Sequence, residues 1–289
     1  MQLDLATLLA QWAAGGLLFC WVTTRRREVG IGYGWLLRIS YGVMAILSVV
    51  SGAGDEGTGA AIRNVCTALM AVAAGIALLQ SYTRRAAGVR GQRETRDRRS
   101  ARVAAMTGDD DTAVEHNVVD DPEPLREFDP RLDLIGPAIG LVGLFGAAAF
   151  VGGDYALSLA RLLVGACFLG AVSDAMLLGH WYLVQPGLGR EPIRELVKAV
   201  AALWPFEVVV YLFPVGMVSV LNGNIDDGYG GLMGWMWVVS CVTTIGLVIA
   251  TWFALKERSY SAVMAATGLL YLAILTGFGM DLLPRALLG

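Results

Sequence analysis

The sequence predicts an all-α protein: a polytopic transmembrane helical bundle of about eight transmembrane helices, with one disordered cytoplasmic linker. Three observations predict this class. First, 56% of the 289 residues are hydrophobic and 16% are charged, against about 45–50% and about 25% in soluble domains. Second, the apolar residues are gathered in long runs. Third, the charges between successive runs alternate in sign.

Each apolar run is long enough to cross a bilayer, because about 20 residues of helix span roughly 30 Å of hydrocarbon. The predicted spans are 3–23, 33–52, 60–82, 133–152, 155–183, 196–221, 231–254 and 260–282. They divide the chain into residues 1–83 with the first three helices, 84–132 as a charged linker, and 133–289 with the remaining helices. The 36 glycines predict close contacts between helices, since small residues let helix backbones approach each other.

The charged residues of the connections predict which side of the membrane each connection faces, because connections rich in Lys and Arg stay in the cytoplasm. Basic residues follow the odd-numbered spans, whereas acidic residues follow the even-numbered spans. The basic residues include Arg25, Arg26, Arg27, Arg84, Arg190 and Lys256, and the acidic residues are Asp55, Glu56, Asp154, Asp226 and Asp227. The pattern predicts a multi-pass protein of the plasma membrane with both termini on the outer side and the linker in the cytoplasm.

The linker consists of two halves of opposite charge. The first half, RRAAGVRGQRETRDRRSAR, is basic, and the second half, DDDTAVEHNVVDDPEPLREFDPRLD, is acidic. Neither half has enough apolar residues for a core, so we expect the linker to be disordered. The arginines from Arg84 to Arg102 are candidates for contact with anionic lipid. Nucleic-acid binding is not expected, because no aromatic residues alternate with these arginines.

Several kinds of chemistry have no motif in this sequence. No disulfide framework, zinc site or iron–sulfur cluster is expected, because the four cysteines lie on separate apolar runs without CxxC spacing. Only one histidine, His180, lies near the membrane, which excludes a bis-histidine haem. No P-loop, GxSxG or HExxH motif occurs. We therefore predict no metal, no resident cofactor and no catalytic activity of the chain on its own, although a quinone remains an alternative at His180.

Ionisable side chains within the apolar runs are the candidates for function, because a charge at the bilayer centre costs at least about 2.5–3.5 kcal/mol. At about 1.5 Å of rise per residue, Arg161 and Glu207 reach similar depths, and so do Arg38 and Asp174. Two ion pairs are therefore predicted, Arg161 with Glu207 and Arg38 with Asp174. Such pairs would orient the helices without performing chemistry.

Glu207 has a second interpretation, as a group that takes up and releases a proton or binds a cation. It lies in LWPFEVVVYLFPVG, where Pro205 removes one helical hydrogen bond. Tyr211 is four residues further on and shares its helix face. A carboxylate near the midplane beside an interrupted helix is typical of the ion sites of carriers.

The stretch SDAMLLGHWYLVQPGLGREP also allows two interpretations. His180, with the two aromatic residues after it, fits the belt of Trp and Tyr at the membrane surface. If His180 instead faces inward, toward Ser173, it is a candidate for contact with a quinone head group or for proton entry, together with Asp174.

Two function classes follow from these observations. In the first, the protein is a membrane-embedded subunit of a larger respiratory or redox assembly and contributes helices, a quinone contact or a proton pathway. In the second, it is a stand-alone secondary carrier with Glu207 near the midplane. The absence of a soluble catalytic domain favours the first class and predicts other membrane subunits, besides the lipid bilayer, as partners.

Overall fold

The computed structural model describes residues 4–85, 128–185, 188–212, 216–257 and 259–288. Most of the predicted linker lies outside these residues, so the predictions of linker disorder and of lipid contact between Arg84 and Arg102 concern mainly a segment outside the described part. The described part is built of nine α-helices and one short 3-10 helix and contains no strand. The predicted all-α helical bundle is therefore confirmed.

The helices follow the predicted spans closely. Their bounds are α1 Leu5–Thr24, α2 Ile31–Ser51, α3 Thr58–Thr83, the 3-10 helix Pro130–Leu134, α4 Ile135–Phe150, α5 Tyr155–Val184, α6 Glu191–Leu212, α7 Met217–Leu221, α8 Leu232–Ala254 and α9 Tyr260–Leu287.

Seven of the helical segments in the described part are long and apolar enough to cross a membrane. They are α1, α2, α3, α4 together with the 3-10 helix before it, α5, α8 and α9. The chain is thus an integral membrane protein with several spans. The predicted sixth span, 196–221, differs from the prediction, because it is divided into α6 and α7. Helix α6 is less apolar than the seven membrane-crossing segments, because it has charged residues in its first two turns and at Glu207.

Helix α6 nevertheless runs along the bundle like its neighbours. Near its start, Arg194 donates a hydrogen bond of 2.7 Å to the carbonyl of Leu255, just beyond the end of α8. Further along, the indole of Trp204 donates to the carbonyl of Cys241 at 3.0 Å, near the middle of α8. These two contacts show that α6 runs antiparallel to α8 and packs along at least half of its length.

The centre of the bundle is a direct backbone contact between α1 and α5. A Cβ atom added at Gly15 would lie 1.7 Å from the carbonyl oxygen of Ala166, and one added at Gly170 would lie 2.3 Å from the carbonyl carbon of Gly15. No side chain larger than hydrogen fits at either position. The close helix contacts predicted from the glycine content are therefore present, and we call this contact the α1–α5 glycine contact.

The first and last helices bring the two ends of the described chain to the same end of the bundle. Gln11, in the second turn of α1, accepts a hydrogen bond from Arg285, in the last turn of α9. At this end Asp4 also pairs with Arg63, at 2.6 Å, and Arg63 pairs in addition with Asp55 of the α2–α3 connection. Two chain ends at one end of the bundle are what the predicted even number of crossings requires. Which side of the membrane this end faces stays a prediction from the charges of the connections.

The outer surface of the bundle is apolar. Large side chains with more than half of their surface exposed lie along α2, α3 and α8, among them Val50, Val65 and Val239. In a membrane these side chains meet lipid chains, which are as apolar as they are, so their exposure costs nothing there.

Candidate functional site

A cluster of polar side chains lies buried between α1, α5, α6 and α9, and we call it the carboxyl cluster. Its members are Gln11, Arg161, Glu207, Tyr211, Asp281 and Arg285, all buried. Each comes from a helix whose remaining buried residues are mostly apolar. The cluster is therefore a polar interior surrounded by the hydrophobic core, where an unpaired charge is costly.

Arg285 connects three of the four helices of the carboxyl cluster. Its Nη2 atom donates to the Asp281 carboxylate at 2.7 Å and to the side-chain oxygen of Gln11. Its Nε atom donates to the hydroxyl of Tyr211 at 3.1 Å, and that hydroxyl donates to the same oxygen of Asp281 at 2.9 Å. One oxygen of Asp281 thus accepts hydrogen bonds from both a guanidinium and a hydroxyl.

Glu207 is placed differently from Asp281, although the two carboxyl groups are in direct interaction. Glu207 is completely buried. Within the described residues, neither of its carboxyl oxygens has a hydrogen-bond partner, and the second oxygen of Asp281 has none either. Three of the four oxygens of these two interacting carboxyl groups thus have no donor within the described residues.

Arg161 belongs to the cluster but does not pair with Glu207 as predicted. Its Nε atom donates to the carbonyl of Val210 at 2.9 Å, and its guanidinium lies 5.3 Å from the centre of the Tyr211 ring. The Val210 carbonyl is free to accept, because residue 214, four positions on, is a proline without an N–H group. Among the described residues, Arg161 forms no ion pair, and its Nη2 atom has no partner.

Asp174 lies in a second buried place, between α5, α1 and α2. The hydroxyl of Tyr41 donates to its Oδ1 atom, and the hydroxyl of Tyr33 donates to its backbone carbonyl at 3.0 Å. Its Oδ2 atom has no partner within the described chain.

The predicted pair of Arg38 with Asp174 is corrected by the structure, which pairs Arg38 with Asp133. The Nε and Nη2 atoms of Arg38 each donate to one oxygen of Asp133 at 2.7 Å, and both side chains are only 3% exposed. The ring of Phe128 covers the guanidinium at 4.7 Å. The physical reason is that the 3-10 helix before α4 brings the carboxylate of Asp133 to Arg38, whereas Asp174 on α5 accepts hydrogen bonds from Tyr33 and Tyr41 of α2.

His180 lies on the exposed surface of α5 rather than facing Ser173. Its Nδ1 atom is 3.3 Å from the hydroxyl of Tyr271 on α9, and the two rings are perpendicular. Ser173 instead accepts a hydrogen bond of 2.8 Å from the indole of Trp12. The contact of His180 with a quinone stays a prediction, and the geometry gives it an outward position.

Three members of the carboxyl cluster were not predicted from the sequence: Gln11, Asp281 and Arg285. Asp281 and Arg285 are spaced by four residues in GFGMDLLPRALL, so both lie on one helix face. That spacing is the signal that could have identified them. Gln11 is the single amide in a long apolar run and carries no charge that would mark it.

Outside the membrane spans, Asp227 organises the connection before α8. Its carboxylate accepts hydrogen bonds from the backbone N–H groups of Tyr229, Gly231 and Met233, at 3.0, 2.8 and 2.9 Å. These donors, that of Gly231 most strongly, hold the pKa of Asp227 below its ordinary value. The role of Asp227 is to fix the start of α8.

No group of three or more Cys, His, Asp or Glu side chains suited to a metal ion occurs among the described residues. The carboxyl cluster is therefore the strongest candidate site. No protein-family model, no curated protein and no solved structure matches this chain, so its function has to follow from the geometry of this cluster.

Proposed function

We propose that this integral membrane protein binds and releases a proton at the Glu207–Asp281 carboxyl pair, and that it moves protons as a membrane subunit of a larger assembly. One observation carries the proposal. Two buried carboxyl groups interact directly, and three of their four oxygens have no hydrogen-bond donor in the described chain.

A proton shared between the two carboxyl groups resolves this arrangement. Two carboxylates in contact in an apolar interior repel each other, so they do not both ionise. One proton removes the repulsion and supplies the missing hydrogen bond. Because Arg285 and Tyr211 donate to Asp281, the ionised partner is Asp281, and Glu207 carries the exchangeable proton.

The packing around the pair favours a proton over a larger solute. A Cβ atom added at Gly165 would lie 2.1 Å from the side-chain nitrogen of Gln11 and 2.7 Å from the Asp281 carboxylate. Helix α5 therefore closes directly over the cluster. A proton needs only the carboxyl oxygens, whereas a solute would need space that this contact fills.

A stand-alone carrier is the second candidate function, and one observation favours it. Past the cluster residue Tyr211, the chain is not helical at Gly216, which has φ −147° and ψ −143° and directly precedes α7. Interrupted helices beside a buried carboxylate are a feature of carriers. Purified protein that moves protons together with a solute in proteoliposomes, without any partner, would favour the carrier over the subunit.

The proton on Glu207 can be detected directly by infrared spectroscopy, because a protonated carboxyl group has a C=O stretch separate from that of a carboxylate. Purified wild-type protein at neutral pH should show this absorption for Glu207, and Glu207→Gln should lose that part of the absorption. Glu191→Gln is the matched control, since Glu191 is an exposed acid at the start of the same helix.

Proton flux into proteoliposomes, driven by a membrane potential, tests the functional consequence. The Glu207→Gln protein should remain folded and lose the flux of the wild-type protein or of its assembly, because an amide keeps the shape of the side chain but cannot titrate. A folded Glu207→Gln protein that keeps both the absorption and the flux would refute the proposal.

A further inference from the structure

We propose that Asp174, together with Tyr41, is a second proton-binding site, separate from the carboxyl cluster. Its place in a proton pathway rests on the proposed function, but the binding of a proton at Asp174 does not. Three features of the molecule support the proposal: the environment of the carboxyl group, the groups that face it, and its position along α5.

The Asp174 carboxyl group is completely buried and only half satisfied. Its Oδ1 atom accepts from the Tyr41 hydroxyl, and its Oδ2 atom has no partner among the described residues. An ionised carboxylate in such a place is expensive unless a cation or several donors compensate it. A proton on Asp174 removes the charge.

The nearest cation does not compensate Asp174. Arg38 lies one turn from Tyr41 on α2, but both donors that it directs at a carboxylate go to Asp133. The other ionisable groups that interact with Asp174 are the hydroxyl of Tyr33 and the thiol of Cys20. All of these are neutral or already paired.

The helices on the other side of α5 add no charge either. At this level α9 presents Tyr271, which is exposed and contacts His180. Helix α6 presents Lys198, which is exposed and lies 5.3 Å from the centre of the Trp252 ring. The tyrosine hydroxyl of α2 is therefore the group that stabilises the side chain of Asp174, and it can donate to the carboxylate or accept from the carboxylic acid.

The position of Asp174 places it in series with the carboxyl cluster. Gly165 contacts the cluster, and Asp174 lies about 14 Å further along α5 at a rise of about 1.5 Å per residue. Between them lie the α1–α5 glycine contact and the Trp12–Ser173 hydrogen bond. The two sites thus divide the length of the bundle, with the cluster nearer the end that holds the chain termini.

Side-chain isotope labelling of aspartate tests the proposal without changing the protein. It shifts the C=O stretch of protonated aspartic acids and leaves that of protonated glutamic acids unchanged. At neutral pH the purified wild-type protein should show an aspartic acid absorption for Asp174 besides the glutamic acid absorption assigned to Glu207. A labelled wild-type protein without any aspartic acid absorption overturns the proposal.

Variants assign that absorption to the residue. Asp174→Asn should remove it, and Tyr41→Phe should shift it by taking away the hydroxyl partner, while the absorption of Glu207 stays in place. Asp154→Asn is the matched control, an exposed cap of the same helix that keeps its acceptor oxygen. An aspartic acid absorption that is the same in wild type and in Tyr41→Phe would also overturn the assignment.

The two proposals fail separately in this experiment. Loss of the glutamic acid absorption alone would refute the proton on Glu207 and leave Asp174 as a proton site. If both absorptions are present, flux in proteoliposomes should be lost in Asp174→Asn as well as in Glu207→Gln. Full flux in a folded Asp174→Asn protein would remove Asp174 from the pathway.

Discussion

The buried pair of Arg38 and Asp133 allows a sharp test of the structure through Asp133→Asn. The substitution keeps the size of the side chain and one acceptor oxygen but removes the negative charge. Both donor contacts of Arg38 to Asp133 are 2.7 Å long, and Thr24 donates a third hydrogen bond to Asp133 at 3.1 Å. The change therefore leaves a buried guanidinium without its counter-charge.

The expected cost follows from this geometry. Breaking a buried ion pair from one side costs about 3–5 kcal/mol. Because asparagine keeps one acceptor and Phe128 still covers the guanidinium, we expect the lower part of this range, about 3 kcal/mol. Replacing both partners, as Arg38→Met with Asp133→Leu, should recover most of the loss, because no charge then remains buried.

The free energy of unfolding of the purified protein in detergent micelles, measured by titration with denaturant, decides the matter. Asp129→Asn is the matched control, since Asp129 is an exposed residue four positions away and should change stability by less than about 0.5 kcal/mol. If Asp133→Asn is as stable as this control, or if the double variant is no more stable than the single one, the buried pair is not formed as described.

Three further predictions concern other parts of the molecule. Gly170→Ala should destabilise the protein by about 1–3 kcal/mol or more and lower the yield of folded protein, because the new Cβ atom would meet the backbone of α1. Gly75→Ala is the control and should be neutral or stabilising, because Gly75 has open space around it. The stability advantage of wild type over Asp227→Asn should be constant above about pH 4, the ordinary pKa of aspartate. It should disappear as the pH falls through the lowered pKa of Asp227, as followed by thermal unfolding; an advantage that instead grows on acidification would contradict the lowered pKa. Reporter fusions at Asp154 and at the C-terminus should report the outer side and a fusion after Arg190 the cytoplasm, and a cytoplasmic C-terminus would contradict the predicted topology.

Most of the helix layout could be predicted from hydropathy, because each span has to be apolar along its whole length. The predicted span 155–183 is the helix Tyr155–Val184, and 33–52 is Ile31–Ser51. The division of the sixth span after Leu212 could not be predicted with the same certainty. Prolines mark where a helix can stop, but neighbouring helices decide whether it does.

Depth along a helix could be predicted from the sequence, whereas direction around the helix could not. The rise per residue places Arg161 and Glu207 at one level, and the structure brings both into the carboxyl cluster, together with Tyr211. Which side chains touch depends on how each helix is rotated against its neighbours. For this reason the partner of Glu207 is Asp281, from a helix that contributed no candidate. Asp281 lies one residue before the end of the predicted last span, 260–282, a position that indicates the membrane surface rather than the interior of the bundle.

The α1–α5 glycine contact also has a consequence for the order in which the protein is assembled. Helix α1 is synthesised before α5, but the backbone surface that it buries is completed only by α5, which follows the long charged segment after α3. The first three helices are therefore inserted into the membrane while the glycine surface of α1 is still uncovered. It stays uncovered until α5 is inserted. A chain cut within the charged segment should still assemble when both pieces are made together, whereas the first piece made alone should be degraded.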